Sequence, residues 1–450
     1  MSTEHSAAAR QSTPARSLPG VVARFVRTEA SGGVALVVAA LVALVWANSP
    51  WQHSYEALWH SRVSLGFGVF RVEDDLRHFV NDGLMALFFF VVGLEIKREA
   101  VHGELADKHV AALPVFAAVG GMVVPAALYA LVAGGGAGGH GWGIPMATDI
   151  AFALGVLALV GSRVPSSLKL FLLTLAIVDD LGAIVVIAVF YSGTLDGGAL
   201  AAAVVGVVTS VVLRRLRVDW PPIYVALAVA TWYATYRSGV HATIAGVALA
   251  LTTPTHRLAP SDTARRWAQD LSDEPTASEI HQMTIIARES VSPAEHLEEL
   301  LHPATSFVVL PVFALANAGV ELRSDMLSGP GATRVAVGVV VGLVAGKLLG
   351  ILAGAWLGTR LRLAVLPAEI QWRHLAGAAA LGGIGFTVSL FIAGLAFADP
   401  ELADAAKAAI LAASLASAAL GAALLLSART PPSAITPAST HPPSRPAGLE

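Results

Sequence analysis

Long apolar runs recur along this chain, each separated from the next by a short polar stretch. A helix of about 20 apolar residues is long enough to cross the hydrocarbon core of a bilayer. Only 14% of the 450 residues are charged and 55% are hydrophobic, where soluble domains carry roughly a quarter charged. The charge is missing in blocks, so the blocks read as membrane spans. Twelve candidates follow, at 31–48, 78–98, 110–133, 142–162, 167–191, 197–214, 222–237, 239–254, 303–320, 332–357, 374–397 and 402–427. The expected fold class is an all-α membrane protein with 12 transmembrane helices.

The connecting loops set the orientation. Those after spans two, four, six and ten carry Lys97, Arg98 and Lys108; Arg163 and Lys169; Arg214, Arg215 and Arg217; and Arg360, Arg362 and Arg373. Those after spans three and five, GGGAGGHG and SGTLDGG, carry no Lys or Arg, and the loop after span seven carries only Arg237. Cytoplasmic loops hold the excess of Lys and Arg, so both termini are expected in the cytoplasm. An even number of spans agrees. Residues 1–30 form a polar cytoplasmic tail with Arg10, Arg16, Arg24 and Arg27, and the run after it lacks a small-residue cleavage site. It therefore reads as a retained span. The twelve-span membrane domain then runs over 31–428, and 429–450, rich in Pro, Ser and Thr, reads as a disordered tail. Cys is absent, which removes disulfides and thiolate metal sites.

Two polar stretches interrupt the pattern. Over 62–73 (RVSLGFGVFRVE), Val63, Leu65, Phe67 and Val69 alternate, which predicts a small exposed β-hairpin. Residues 255–302 are too polar to cross and read as a long cytoplasmic loop, helical in part over 276–301.

Ionisable groups at mid-membrane are costly, and they mark function by default. Asp179 and Asp180, in LFLLTLAIVDDLGAIVVIAVF, lie about 12 residues from either end of their span at 167–191, roughly 18 Å along a helix and so at the midplane. Neighbouring helix positions point about 100° apart, so one carboxylate can face a water-filled cavity while the other meets a protein partner. The plainer reading is a structural pair bonded to neighbouring helices. Thr148-Asp149 follows Pro145, which removes a backbone donor and favours a break; Thr or Asp then caps the restarted helix. Lys347 sits deep in VGLVAGKLLGILAGAW, where it either snorkels outward or pairs with an Asp. Gly382, Gly383 and Gly385 crowd the centre of span eleven. Interrupted segments in corresponding halves of a chain point to a transporter's binding site. Two broken helices crossing there would bring two positive N-terminal ends and two negative C-terminal ends together. Asp149 is expected to neutralise the first and Lys347 the second.

Several segments then resemble the NhaA-type sodium/proton antiporters: GLEIKRE, ATDIAFALG, VDDLGAI, SGVHATIAG, LHPATSFVVLPVFALANAGV, GLVAGKLLGI and GGIGFTVSLFIAGLAF. They stand in family order across roughly residues 25–427. The resemblance implies inverted repeats formed by spans 3–5 and 10–12, with spans four and eleven as crossing discontinuous helices. It implies that Asp180 is the principal cation- and proton-binding carboxylate, with Asp179 beside it, Thr148 and Asp149 in support, and Lys347 paired with Asp179. It also implies a pH-response group of Glu95, Arg98, Glu99, His241 and Glu298, with Asp82 at an acidic position of span two. Glu95 and Glu99 have a plainer reading as solvated charges on a helix end, and His241 as a packing histidine. Glu295 departs from the family pattern, which has a basic residue there.

The implied activity is electrogenic, pH-regulated export of Na⁺, and of Li⁺, against protons in a bacterial inner membrane. It uses no cofactor and no nucleic acid, and the implied assembly is a homodimer through the hairpin at 62–73. A hard cation prefers oxygen ligands, and a carboxylate can hold either that cation or a proton, so the two compete. A sodium-coupled symporter of an organic solute is the main alternative, and Lys347 argues against it. An intramembrane aspartyl protease needs carboxylates on different helices and a GxGD motif, which is absent. Paired acid and base at a crossing of broken helices also favour bind-and-switch over a channel.

Overall fold

The computed structural model describes residues 19–67, 70–161, 164–216, 218, 220–256, 276, 278, 280, 291–323 and 326–428. Most of the N-terminal tail, Arg163, Arg217, nearly all of the 255–290 stretch and the tail at 429–450 lie outside them.

Among the described residues the regular structure is helical apart from one hairpin. The first helix, Pro19–Ala47, turns by 116° into a short helix, Gln52–Trp59. That short helix has no apolar run to betray it; it is held by Tyr55 and Trp59, four residues apart and both buried. The hairpin follows as antiparallel strands Arg62–Phe67 and Phe70–Asp75, with Arg62 opposite Asp75 and Leu65 opposite Val72. It contains the predicted 62–73 stretch and runs two residues further. Asp75 then caps the next helix by accepting from the His78 amide at 2.7 Å.

Among the described residues, seven helices are long and apolar enough to cross a membrane: Leu76–His102, Lys108–Ala133, Ser166–Phe190, Gly197–Arg215, Pro293–Asn317, Gly331–Arg360 and Pro400–Ser427. Three bent pairs raise the number to ten if each counts as one span. Besides the first, they are Gly136–Met146 with Ile150–Val160, bent by 50°, and Trp372–Leu381 with Phe386–Ala396, bent by 45°. The helices Pro221–Arg237 and Thr243–Thr252 have 17 and 10 residues. Outward faces carry bare apolar side chains, Leu131 at 82% and Leu159 at 86% exposure among them, the surface of a multi-pass membrane protein with lipid as its solvent.

One boundary moves well away from the apolar run. The helix expected at 303–320 begins at Pro293, capped by Ser292. Its first turns are amphipathic: Ala294 and Glu298 are buried while Leu300 is exposed. Hydropathy alone hides such a start.

Small residues set the helix spacing. Lys108–Ala133 lies against Lys347–Arg360 so closely that a Cβ on Gly120 would stand 2.1 Å from the Gly350 carbonyl oxygen. In lipid, such close approach supplies the packing energy that hydrophobic burial supplies in water. Three spans also contain a π-helical turn, at Val80–Leu84, Thr305–Val309 and Val341–Gly346. Such turns concentrate at functional sites.

Candidate functional site

The two broken helices meet at their breaks. The first half of one is a 3₁₀ helix, Gly136–Met146, with Pro145 in its last turn. Ala147, Thr148 and Asp149 are non-helical before Ile150 restarts the helix. In the other, Gly382–Gly385 separate the two halves. A Cβ on Gly383 would lie 2.3 Å from the Leu343 carbonyl oxygen, and one on Gly385 would lie 2.3 Å from Ser389 Oγ; only glycine lets the backbone pass.

Each break satisfies the other. The Asp149 amide donates to the Ile384 carbonyl at 2.6 Å. Ser389 Oγ donates to the Ile144 carbonyl at 2.7 Å, and Thr148 Oγ1 lies 2.8 Å from the Gly382 carbonyl oxygen. Asp149 serves both N-terminal ends. Its Oδ1 accepts from the Phe152 amide at 2.9 Å, and its Oδ2 accepts from the amide and hydroxyl of Thr387 at 3.1 and 2.8 Å. A carboxylate there is matched to two helix dipoles at once. The carbonyl ends are met by Thr148, the Asp149 amide and Ser389, whereas Lys347, the group expected to serve them, is hydrogen-bonded elsewhere.

Lys347 Nζ donates to Asp179 Oδ2 at 2.5 Å, and both side chains are fully buried. The ammonium is far from any snorkelling position. Thr148 Oγ1 lies 2.7 Å from the same Asp179 oxygen. Asp180, one position on, turns away from this pair toward a cavity of about 50 Å³, and its Oδ1 meets no donor among the described residues. A volume of that size holds a few waters at ~10–15 Å³ each. Glu95 and Asp149 line the same cavity, with the hydroxyls of Thr148, Thr305, Ser306 and Thr387 and the ring of His302. Three of those hydroxyls spend their hydrogen on the protein: Thr148 on Asp179 or Gly382, Thr305 on the His302 carbonyl at 2.9 Å, and Thr387 on Asp149. Toward the cavity they offer lone pairs. Carboxylates and acceptor oxygens around a small wet space suit a hard cation.

The remaining predicted residues divide into three places. Arg98 donates to Glu298 at 2.5 Å and to Glu99 at 3.2 Å, one helical turn beyond Glu95. Glu95 is buried and Glu99 half-buried, so the solvated-charge reading fails for Glu95; Glu298 is buried as well. Glu99 also accepts from the Glu104 amide at 3.1 Å. The Glu104 carboxyl, in the loop beyond, is held above its usual range by burial and then by the Glu99 charge. His241 lies apart from this group: its Nε2 is 2.6 Å from the Tyr191 carbonyl oxygen. The helix Thr243–Thr252 separates the two, since the carbonyls at its other end, Leu251, Thr252 and Thr253, accept from Lys97 and Arg214. Asp82 sits in the π turn Val80–Leu84, with its carbonyl accepting from Trp232 Nε1 at 2.8 Å.

Sequence reasoning missed Thr387, Thr305, Ser306 and His302. Thr387 stood inside the quoted GGIGFTVSLF segment, five residues after Gly382, where an exposed helix start needs capping. Thr305 and Ser306 follow the quoted LHP, with no charge to draw notice.

A family model described as Na+/H+ antiporter 1 matches residues 23–425. The Na(+)/H(+) antiporter NhaA of Rhodopirellula baltica is 48% identical over 405 residues, which cover 87% of this chain and 90% of that protein. The Na(+)/H(+) antiporter NhaA 2 of Sorangium cellulosum is 44% identical over 404 residues, covering 87% and 86%. The Na(+)/H(+) antiporter NhaA of Koribacter versatilis is 43% identical over 425 residues, covering 92% and 93%. A multi-pass helical membrane protein with a carboxylate-lined cavity at the meeting of two broken helices is thus defined by sequence family as well. The chain belongs to the Na+/H+ antiporter 1 family.

Proposed function

We propose that this protein is a secondary transporter that exports Na⁺, and Li⁺ as well, in exchange for protons, with Asp180 as the carboxylate the two ions share. The observation that carries the assignment is the contrast at Asp179-Asp180: Lys347 and Thr148 meet Asp179 Oδ2 away from the cavity, while Asp180 lines the cavity. An ionised Asp180 attracts a sodium ion, for which the cavity's hydroxyl oxygens supply further ligands. A proton on Asp180 cancels the charge and releases the ion. Alternating access then moves whichever occupant is bound. Asp149 and Thr148 position the crossing, with Pro145, Gly382, Gly383 and Gly385 permitting it, and Lys347 balances Asp179. The activity attributed to the relatives by name supports the same reading.

The finer architecture proposed is twelve spans over residues 31–428, with both termini cytoplasmic in a bacterial inner membrane. Spans 3–5 and 10–12 form inverted repeats, and the hairpin joins two copies as a homodimer. Glu95, Arg98, Glu99 and Glu298, with His241 and Asp82 elsewhere, are the proposed pH-response groups. The test is sodium-induced dequenching of a pH dye in everted vesicles, without organic solute. The wild type gives a signal and Asp180→Asn gives none. Full activity in that variant refutes the site, and a requirement for an organic solute refutes antiport.

A further inference from the structure

Tyr191 ends the helix Ser166–Phe190 that carries Asp179 and Asp180, and it is bonded at both its backbone and its phenol. Its carbonyl oxygen lies 2.6 Å from His241 Nε2. A carbonyl only accepts, so that nitrogen carries the hydrogen, and the proton that His241 gains or loses belongs to Nδ1. The Tyr191 hydroxyl reaches the other way, into the first half of the broken helix, Gly136–Met146. It donates to the His140 carbonyl at 2.7 Å and accepts from the Gly143 amide at 3.1 Å. Those two groups are three residues apart, the pair that a 3₁₀ turn joins directly. The phenol is therefore wedged into the turn, and a side chain inserted into a helix's bond ladder bends it. The fit is close. A Cβ on Gly143 would lie 2.7 Å from the phenolic oxygen, and the ring stacks on Trp142 with centroids 6.5 Å apart. The next residue, Ile144, gives its carbonyl to Ser389 at the crossing, and Thr148 and Asp149 follow on the cavity wall. A 3₁₀ helix of 11 residues far exceeds the usual run of about 3–4, so bonds from outside it decide its shape.

We infer that Tyr191 is a positioning residue for exchange: its hydroxyl sets the geometry of the crossing, and its backbone carries the state of His241 to it. The inference rests on the reading of His241 as a pH-response group. A charged donor makes a hydrogen bond roughly twice as strong as a neutral one, so His241 grips the Tyr191 carbonyl harder once Nδ1 is protonated. The grip falls on the end of the Asp179–Asp180 helix and reaches Gly143 through one phenol ring. The flanking loops are tied together, the Gly193 amide to the Gly239 carbonyl and the Asp196 amide to the Ser238 carbonyl, each at 2.9 Å, which gives the pull a fixed base. Beside His241, the elements packed around it carry the Tyr191 phenol, His140, Asp196 and Arg237. Asp82 lies just before the stretch of Met85–His102 that packs on Thr243–Thr252. The hydrogen-bond partner of the His241 ring is the Tyr191 carbonyl, and among the described residues it forms no ion pair.

The experiment is sodium/proton exchange by the full-length protein in everted vesicles equilibrated at each pH, reading both KM for Na⁺ and the pH of half-maximal exchange. Tyr191→Phe keeps the ring and its stack on Trp142 and removes only the wedge. It is expected to raise KM about threefold and to move the pH midpoint by about half a unit. His241→Gln keeps a donor toward the Tyr191 carbonyl but cannot titrate, and it is expected to move the midpoint as well. The pair decides. In the Tyr191→Phe background, His241→Gln should move the midpoint far less than it does alone, because residues that act through one another are non-additive. A wild-type KM and pH profile in Tyr191→Phe overturns the inference, and so does a lowered unfolding temperature that leaves both unchanged. Equal shifts from His241→Gln in the two backgrounds overturn it too, since the hydroxyl is then no link. Should Tyr191→Phe fail to reach the membrane, Gly143→Ala displaces the hydroxyl from the other side and is expected to give the same two shifts; a wild-type profile there is again fatal. A silent His241→Gln with Tyr191 intact, by contrast, fails the pH-response reading itself, and the coupling falls with it.

Discussion

Asp179 and Asp180 are neighbours in sequence and at the same depth, yet they stand in opposite surroundings. Asp179 is locked between an ammonium and a hydroxyl with no solvent access. Asp180 borders the cavity, and each of the two carboxylates keeps an Oδ1 that meets no donor among the described residues. The difference follows from helix geometry, because consecutive side chains diverge by about 100°. It shows how one helix can supply a fixed charge balance and an exchangeable ligand from a single dipeptide. The ion pair holds the crossing together, and the cavity side is left for the cargo.

The largest expected effect attacks the exchangeable half. Asp180→Asn removes the charge that sodium and the proton share, so exchange falls to background while the protein folds and inserts normally. Amounts in the membrane and thermal unfolding of the purified protein check the second part. If Asp180→Asn unfolds the protein as badly as changes at Asp179, the division of labour between the neighbours is wrong.

The next effect attacks the fixed half. Lys347→Ala leaves the Asp179 carboxylate buried without its counter-ion, at a cost of about 3–5 kcal/mol. A lowered unfolding temperature in detergent is the expected readout. Removing both charges together, as in Asp179→Asn with Lys347→Met, is expected to recover most of that loss, because a neutral pair carries no stranded charge. Stability unchanged in Lys347→Ala would mean that the short contact carries no weight.

A smaller effect tests the crossing that orients both. Gly383→Ala drives a methyl group to 2.3 Å from the Leu343 carbonyl oxygen, and overpacking of that kind costs about 1–3 kcal/mol. The displaced backbone adjoins the Gly382 carbonyl that Thr148 contacts, so exchange should drop along with stability. Normal stability with normal exchange would remove the close approach as a requirement.

Much of this arrangement was legible before any coordinates, and the reason is physical. A charge inside an apolar run is conspicuous, so Asp149, Asp179, Asp180 and Lys347 stood out at once, as did the glycines of span eleven. The hairpin showed through its alternation. Hydroxyls do not show, since Thr305, Ser306 and Thr387 are ordinary helix residues until a cavity gives them a direction. Glu95 admitted a plainer reading as a solvated charge because its neighbours Lys97 and Arg98 are basic; the structure buries it on a cavity that His302 and Ser306, more than 200 positions away, also line. The π turns leave no composition mark. The start of the helix at Pro293 was hidden because its first turns bury one side only.

The smallest effect lies outside the membrane, where neither half of the comparison reaches. Asp196 caps the helix Gly197–Arg215, its Oδ1 accepting from the amides of Gly198 and Ala199 at 2.8 and 3.0 Å. These hydrogen bonds favour the ionised form and hold the carboxyl below its usual range. A folded-state value below the unfolded one means that the stabilisation is present above the unfolded pKa, about 3.9, and fades as pH falls through the folded value. The unfolding temperature of Asp196→Ala should therefore lie slightly below that of the wild type at neutral pH, and the gap should close below about pH 4. A gap for Asp196→Ala that is constant down to strong acid would show that the cap acts through shape alone and owes nothing to its charge.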